Sequence, residues 1–412
     1  MAMRHALRAL CAAAILAAPA SPVLCDPLAS VSPSPSAPPQ IVHVVTADRS
    51  DETLHNATRT TYVVGRDEIE RRGYRTVGDA LAQLPGVEIT RYGPIGQNVS
   101  YGIRGSSSSQ VLVLVNGLPA PGEFANSVQL GTASTAGVRR IEVVEGGGST
   151  LYGSGAIGGI INVITDAQHA PPHATIRYGT FDDREISIES HGITFERIVA
   201  DNAFGLPPTA GNPATRDNGD DETTSFRFGF DKTAGAIVAS LRGGIENDRL
   251  GVAGNFPYFS PTSRERDVNA DTSASFEMNR PHATTTLQIG GSRQQLAFEC
   301  NIVTDTNCFS AVPSLSTESR VDANLRDTVG SAFGRTVYGI DLSRGNVRED
   351  NGAGTPGAIA TAALAQTAAY VQETRDFRGG DAYAGVRGER DGSLGGEFSP
   401  SAGLRFSIAR EG

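Results

Sequence analysis

Residues 84–165 contain, in order, LPGVEI (84–89), GIRG (102–105), VLVLVNG (111–117), VRRIEVVEG (138–146) and LYGSGAIGGIINVIT (151–165). Each segment is a short run rich in β-branched residues, and it ends at a glycine or an Asn-Gly turn signal. Such runs are typical of short strands joined by turns. The stretch from Tyr62 to Thr165 therefore predicts a compact mixed domain with a small sheet.

Two short helices are predicted near the start of this domain. Asp67 with Glu70, and then Thr76 with Asp79, have the three-residue spacing of a helix N-cap and its partner. Gly73 is expected to end the first helix, because glycine readily adopts the left-handed conformation of a C-cap. The domain is therefore predicted to be of the α+β class.

Two irregular loops interrupt the predicted strands. The first loop is residues 91–98 (RYGPIGQN) and the second loop is residues 118–129 (LPAPGEFANSVQ). Both lack periodicity, and each holds one aromatic residue, Tyr92 or Phe124. Two such loops on one side of a rigid domain could form a ligand platform. The alternative is that they are plain connections, with the aromatic rings packed on the domain itself.

The pattern of polarity in the sequence changes after Ala167, where apolar residues alternate with polar or small ones. The alternation pairs Ile186 and Ile188 with Glu185, Ser187 and Glu189; Phe226, Phe228 and Phe230 with Arg227 and Gly229; Leu287 and Ile289 with Gln288; and Leu404, Phe406 and Ile408 with Arg405 and Ser407. This pattern predicts an antiparallel sheet with one apolar face. An apolar face in lipid requires a closed barrel, since open edges are not tolerated there. A soluble β-sandwich is the alternative, and the absence of Trp weakens the aromatic girdle expected of a barrel.

The N-terminal residues indicate export. Residues 1–25 have a basic start, an apolar core and an Ala18-Pro19-Ala20 cleavage motif, which predicts a signal peptide rather than a short buried helix. Residues 26–40 are rich in Pro and Ser and predict an extended linker. IVHVVTADR (41–49) follows directly. It is either the first strand of the next domain or a tethered peptide that adds as a strand to a partner's sheet.

Composition and scattered motifs exclude other classes of function. The 412-residue chain has a net charge of −10, which argues against binding nucleic acid. No nucleophile, acid–base pair or phosphate loop stands out, so we do not expect an enzyme.

Cys300 and Cys308 predict a local loop disulfide in an oxidising compartment. Clustered carboxylates could bind Ca²⁺, although a solvated acidic loop is the alternative; they are Asp217, Asp220, Asp221 and Glu222.

The chain resembles the TonB-dependent outer-membrane receptors, and among them most closely the vitamin B12 (cobalamin) branch. The resemblance is close over residues 41–166, where the motifs quoted above stand in the order of the family, and loose over the rest. It implies an α+β plug domain (55–166) followed by an all-β antiparallel transmembrane β-barrel (167–412). The family barrel has about 22 strands, and this chain would hold roughly half of them.

The resemblance also implies the site. The family carries its TonB box where this chain has Ile41, Val42, His43, Val44, Val45, Thr46 and Ala47. The plug apices that contact substrate correspond to Tyr92, Gly93, Gly96, Gln97, Asn98, Glu123, Phe124, Asn126 and Ser127. The implied partners are TonB with ExbB and ExbD of the inner membrane, outer-membrane lipid, and cobalamin or a siderophore-like ligand. We expect a monomer with no resident cofactor apart from the candidate calcium.

The C-terminal residues carry a further expectation. FSPSAGLRFSI (398–408) resembles a strand from the middle of the family's barrel, and the chain stops soon after it. We therefore expect the C-terminal part of the barrel to be missing from this sequence. Two alternatives to cobalamin uptake follow: a truncated remnant that transports nothing, and a ferric-siderophore receptor.

Overall fold

A computed structural model of the chain describes residues 43–50, 52–54, 57–93, 96–165, 171–206, 215–255, 258–301, 304–305, 313–351, 359–392 and 395–406. The predicted signal peptide (1–25), the linker (26–40), Ile41 and Val42 lie outside the described residues. The described chain has two parts, which we call the plug (43–165) and the wall (171–406).

The plug combines short strands with three short helices. The helices are α1 (Arg66–Arg72), α2 (Val77–Leu81) and α3 (Ser149–Tyr152). The strands are β1 (His43–Val44), β2 (Glu52–Thr53), β3 (Thr61–Gly65), β4 (Val87–Arg91), β5 (Val99–Ile103), β6 (Val111–Val115), β7 (Leu118–Pro119), β8 (Val138–Glu145) and β9 (Gly159–Thr165). A five-stranded sheet has the order β3-β8-β9-β6-β7, while β1 pairs with β2 and β4 with β5. The predicted mixed domain with a small sheet is confirmed.

The helix ends agree with the predictions from the sequence at two positions and differ from them at a third. Thr76 and Asp79 form the predicted capping box of α2. The prediction that Asp67 caps α1 is wrong, because β3 runs directly into the helix and Gly65 occupies the N-cap position. Asp67 lies in the first turn instead, where a negative charge is favourable. Gly73 ends α1 in the left-handed conformation, as predicted.

One apolar core holds the plug together. It packs the inner face of the sheet against α1 and α2, and its members include Val64, Ile69, Leu81, Ile141 and Ile161. The β-branched runs recognised in the sequence supply most of it, because β8 and β9 are both almost continuously buried. The core fixes the orientation of the two loops and of the N-terminal segment that packs beside it.

The wall is a twelve-stranded sheet in which sequential neighbours pair antiparallel. Its strands are β10 (His173–Tyr178), β11 (Arg184–Ser190), β12 (Ile193–Ala200), β15 (Asp221–Ala234), β16 (Ile237–Gly251), β19 (Arg264–Arg280), β20 (Ala283–Glu299), β21 (Ser314–Ser331), β22 (Gly334–Asp350), β23 (Ile359–Phe377), β24 (Gly380–Asp391) and β25 (Gly395–Phe406). Two small hairpins extend its connections: β13 (Phe204–Gly205) with β14 (Thr215–Arg216), and β17 (Gly254–Asn255) with β18 (Tyr258–Phe259).

The two ends of the wall differ in the length of their connections. At the short-turn end, two residues join successive strands: 191–192, 235–236, 281–282, 332–333 and 378–379. At the long-loop end, the connections include 201–220, 252–263, 300–313 and 351–358. Barrels of the bacterial outer membrane place short turns toward the periplasm and long loops outside the cell.

The side chains of the wall are inverted relative to those of a soluble sheet. On β11, Ile186 and Ile188 are 42% and 50% exposed, whereas Glu185 and Glu189 are 7% and 3% exposed. A soluble β-sandwich would bury the isoleucines and expose the carboxylates. An apolar face outside and a polar face inside, against the plug, are the arrangement of a transmembrane wall. The predicted fold class, an α+β plug followed by an antiparallel transmembrane sheet, is confirmed.

None of the helices in the described ranges is long and apolar enough to cross a membrane.

Candidate functional site

Residues 43–50 and 52–53 belong to a hairpin, here called the N-terminal hairpin, that is folded into the plug. His43 pairs with Thr53 and Val44 pairs with Glu52. Val44 and Ala47 have no exposed surface. They pack in a second apolar cluster with residues of the plug sheet that include Leu112, Leu114, Val144 and Ile160. From Val44 onward, the segment that resembles a TonB box is thus docked inside the chain and buried.

Thr46 holds this hairpin through every polar group it has. Its backbone N–H donates to Glu142 Oε2 at 2.8 Å, and its hydroxyl donates to the same oxygen. Asn162 Nδ2 donates to the hydroxyl at 2.9 Å, and the Tyr152 hydroxyl donates to the Thr46 carbonyl at 3.0 Å. The Val45 N–H adds a third bond to Glu142 Oε2 at 3.0 Å. A buried polar residue costs free energy unless its groups are paired, and here all are.

Arg49 connects the hairpin to the wall. Its Nη1 lies 2.9 Å from Asp341 Oδ1 on β22 and donates to the Tyr370 hydroxyl on β23, also at 2.9 Å. The guanidinium stacks 4.2 Å from the Tyr152 ring centroid and 4.8 Å from that of Tyr370. Asp341 also pairs with Arg387, whose Nη1 lies 2.7 Å from Asp341 Oδ2. The hairpin is therefore bonded both to the plug and to the surrounding sheet.

Two carboxylates of the hairpin share one arginine of the wall. Arg335 Nη2 lies 3.1 Å from Asp48 Oδ2 and 2.8 Å from Glu52 Oε2. Burial and the nearby Asp48 raise the pKa of Glu52 to about 9, and Arg335 opposes this shift. The protonated form of Glu52 therefore favours the docked hairpin.

The sequence left two possibilities for residues 41–49, a strand within the chain or a peptide for a partner's sheet. Over the described part, the structure has it paired within the chain. Two residues are too few to hold a hairpin by strand pairing alone. Side-chain bonds from Glu142, Asn162 and Asp341 hold it instead. A role in binding TonB remains a prediction.

The first loop lies against the wall. Tyr92 is half exposed, whereas Gln97 is buried and its Nε2 donates to the Gly219 carbonyl at 3.2 Å. Asn98 Nδ2 donates to both oxygens of Glu265 at 3.1 Å. Gly96 has φ +86, and a Cβ placed there would lie 2.2 Å from Asp221. Of the predicted substrate residues of this loop, Gly96, Gln97 and Asn98 thus face the wall, whereas Gly93 lies against Gln97 and Tyr92 is half exposed.

The second loop is fixed by two side chains of the wall. Glu318 Oε2 accepts from the Ala125 N–H at 2.8 Å, and Gln294 Nε2 donates to the Ser127 carbonyl at 3.2 Å. Within the loop, Asn126 is exposed, and Glu123 Oε2 accepts from the Val113 N–H at 3.1 Å. Burial raises the pKa of Glu123 to about 8. Ser127 thus bonds the wall, and Asn126 is the most accessible of the residues predicted here.

Two cavities lie between the plug and the wall. One, of about 280 Å³, reaches from Glu123 and Phe124 of the second loop down to Arg49 and Tyr152. The other, of about 210 Å³, continues from Arg49 and Tyr152 to Ile164 at the end of the plug. The stacked pair of Arg49 and Tyr152 therefore borders both spaces. Phe124 faces the first cavity, where a flat ligand could stack on it.

The candidate calcium residues are not gathered around one point. Their partners are Thr215 for Asp217, Arg264 for Asp220 and Arg197 for Glu222. Asp221 is buried beneath Gly96. Over the part of the chain that the structure describes, no group of three or more His, Cys, Asp or Glu residues could hold a metal ion. Calcium binding therefore stays a prediction.

Cys300 is disulfide-bonded, and Cys308 lies outside the described residues.

Sequence reasoning missed the residues that hold the site together. Glu142 and Asn162 stand in β8 and β9, where they were treated only as members of β-branched runs. An isolated Glu or Asn within such a run does give a signal, because a buried polar residue requires a partner. The sequence does not indicate which partner it has.

The comparisons with known proteins identify the plug. The family described as TonB-dependent Receptor Plug Domain matches residues 53–160. This match runs from the end of β2 to the start of β9, and the twelve-stranded wall follows it. Residues 53–160 are therefore a plug domain of the TonB-dependent receptor family, whose members are proteins of the bacterial outer membrane.

In sequence, the chain is similar to the vitamin B12 transporters. It is 36% identical over 177 residues to that of Vibrio cholerae, which is 42% of this chain and 29% of the transporter. The vitamin B12 transporter of Vibrio vulnificus is also 36% identical, over 146 residues, or 34% of this chain and 23% of that protein. The match thus spans less than a third of the length of either relative.

Solved structures share the fold. The ferripyoverdine receptor of Pseudomonas aeruginosa superposes with a TM-score of 0.69 at 15% identity, covering 89% of this chain and 57% of that one. The ferric yersiniabactin receptor of Yersinia pestis superposes with a TM-score of 0.59 at 17% identity, covering 84% and 61%. Both are receptors for iron chelates, and the likeness concerns the fold alone.

Proposed function

We propose that the protein takes up a scarce, large solute, cobalamin, across the outer membrane by coupling to TonB with ExbB and ExbD. The observation that carries this proposal is the buried N-terminal hairpin. Residues 44–49 are held by polar bonds and not by a long strand ladder, so a pulling partner can withdraw them without unfolding the plug sheet. The linker predicted at residues 26–40 would let the segment reach the periplasm.

The proposed ligand is supported by the sequence relatives. Proteins named vitamin B12 transporters match this chain at 36% identity over 177 residues. Tyr92 is half exposed on the first loop, and Phe124 lines the cavity of about 280 Å³. Both rings could stack on a flat macrocycle. A ferric siderophore is the second candidate, because the receptors of similar fold bind iron chelates.

The proposed coupling follows from the position of Arg49. Withdrawal of residues 44–49 removes its guanidinium from the boundary between the two cavities. It also breaks the bond to Asp341 and thus a direct link between plug and wall. The cavities then join along the face of the plug that runs from the second loop to Ile164. Substrate movement would start along this side.

Calorimetry on the purified full chain tests the ligand. Cobalamin should release heat with a one-to-one stoichiometry, and a ferric catecholate or hydroxamate chelate should not. Phe124→Ala should weaken cobalamin binding, whereas Phe333→Ala, at a short turn on the opposite end of the wall, should not. If the iron chelate releases heat and cobalamin does not, the proposed ligand becomes a siderophore. The absence of binding heat with both ligands would favour a remnant that transports nothing.

A proline substitution tests the coupling. Val45→Pro removes the N–H that donates to Glu142 and prevents strand addition to a partner, so uptake should fail while cobalamin binding persists. Val45→Ala keeps the N–H and is the matched control. Normal uptake by the proline variant would contradict the assignment of a TonB box. Uptake that is absent even with the unmodified chain would again favour a remnant.

A further inference from the structure

The outer face of the wall carries arginines immediately above its apolar band. On β20, Leu287 and Ile289 are exposed, and Arg293 follows on the same face in the strand alternation. On β22, Leu342 is exposed and Arg344 is the next residue on that face. In both strands the change from apolar to charged occurs toward the long-loop end. These arginines therefore lie at the outer boundary of the lipid-facing surface.

Arg293 and Arg344 border one groove. Ser319 of β21 pairs with Arg293, and its neighbour Val321 pairs with Arg344. The open groove between them has a volume of about 1050 Å³. Gly291 lies at the bottom of the groove and has no side chain to fill it, and even an added Cβ would have no atom closer than 3.4 Å. The two arginine Cα atoms are two strands apart and staggered by two residues, roughly 12 Å in all, so their long side chains can reach one group between them.

No carboxylate in the described ranges neutralises these two cations. Among the described residues, neither Arg293 nor Arg344 makes an ion pair or a side-chain hydrogen bond. By contrast, Arg197 on the same face is paired with Glu222 at 3.0 Å. The uncompensated charge is a local feature, because the chain as a whole has a net charge of −10.

A second pair of arginines lies on the same face, beside Glu222, which stands opposite the first of them on β15 and pairs with Arg197. Arg249 of β16 stands directly opposite Arg266 of β19 in the sheet register. Like charges in opposed cross-strand positions are destabilising. The wall retains this arrangement at the level where the bilayer presents its headgroups, which favours an anionic partner there.

We propose that the groove between Arg293 and Arg344 binds the phosphorylated headgroup of an outer-leaflet lipid. The guanidinium groups hold the phosphate, for which their planar fork is suited. The acyl chains lie on the apolar residues directly beneath, Leu287, Ile289 and Leu342. This continuity selects an amphiphile over a soluble anion, because a free phosphate would make no use of the apolar band.

Native mass spectrometry of the full chain in detergent tests the site. The probes are a disaccharide lipid that carries two phosphates and the same lipid after removal of both. The phosphorylated form should bind, and the double variant R293Q/R344Q should weaken it by about a hundredfold, or about tenfold for each charged contact. R293K/R344K should restore most of the affinity, since an ammonium also pairs with phosphate. R197Q is the matched control and should bind as the unmodified chain.

Three outcomes would overturn the proposal. Equal retention of the two lipid forms would show that the phosphate is not recognised. Unchanged binding by R293Q/R344Q would show that the arginines do not form the site. Displacement of the lipid by millimolar inorganic phosphate would assign the groove to a soluble anion. Should the double variant fail to fold, the single variants R293Q and R344Q decide through their expected tenfold effects.

Discussion

Glu142→Gln should release the N-terminal hairpin while leaving the plug folded. In the docked state, one oxygen of Glu142 accepts the N–H of Val45 at 3.0 Å, the N–H of Thr46 at 2.8 Å and the Thr46 hydroxyl. Glutamine has nearly the same shape and still offers a carbonyl oxygen. The substitution therefore removes the charge and also replaces Oε1, which accepts from Arg140 Nε at 2.7 Å within β8, by an amide nitrogen.

The expected magnitude follows from the three bonds. A hydrogen bond to a charged group contributes about 1.5–3 kcal/mol, against about 0.5–1.5 kcal/mol between neutral groups. Each bond to Glu142 should thus weaken by about 1 kcal/mol, and docking by about 3 kcal/mol in all. The population of the released hairpin should rise by about a hundredfold.

Amide hydrogen exchange read by mass spectrometry measures this population directly. Protection of the peptide spanning residues 44–49 should fall by about a hundredfold in the Gln variant, because exchange follows local opening. The peptide spanning β9 should keep its protection. Glu68→Gln is the matched control, since Glu68 forms only a surface pair with Arg72. Unchanged protection of residues 44–49 would refute the reasoning, and equal loss in β9 would show that the plug itself had opened.

Further predictions concern the first loop and the same hairpin. Thr46→Val should lower protection of the hairpin by about 1–3 kcal/mol because it orphans Asn162, whereas Thr46→Ser should not. Gly96→Ala combines a positive φ with a collision against the wall and should lower the melting temperature more than Gly105→Ala, which is equally left-handed but open. A folded-state pKa near 9 for Glu52, raised above its unfolded value, means that docking weakens as pH rises toward 9. Glu52→Gln should abolish that dependence in exchange experiments.

Local patterns in the sequence were sufficient to predict the two-part architecture. The β-branched runs before Thr165 end at glycines, and they become the plug sheet. The alternation at Ile186 and Ile188 predicts a one-sided strand in β11. It does not by itself tell which side faces the core, and only the buried carboxylates in the structure show that the apolar side faces outward.

The α1 cap shows a limit of local reasoning. Asp67 and Glu70 have the spacing of a capping pair, and the helix exists. The preceding strand extends to Gly65, however, and brings the chain into the helix two residues earlier. Strand pairing with β8 thus determined the helix start, and a side-chain motif with the right spacing became part of the first turn.

The candidate site was harder to predict because its bonds are long-range. Val45 and Thr46 meet Glu142, almost a hundred positions later, and Arg49 meets Asp341 in the wall. Neither partner stands out locally, since one lies in a β-branched strand and the other in an alternating one. A buried carboxylate is nevertheless a stronger indication than a motif, because desolvation is costly unless partners are present. For this chain, the isolated Glu142 within VRRIEVVEG is the residue from which the docked hairpin could have been sought, and the preceding peptide with two free N–H groups and a hydroxyl is what satisfies it.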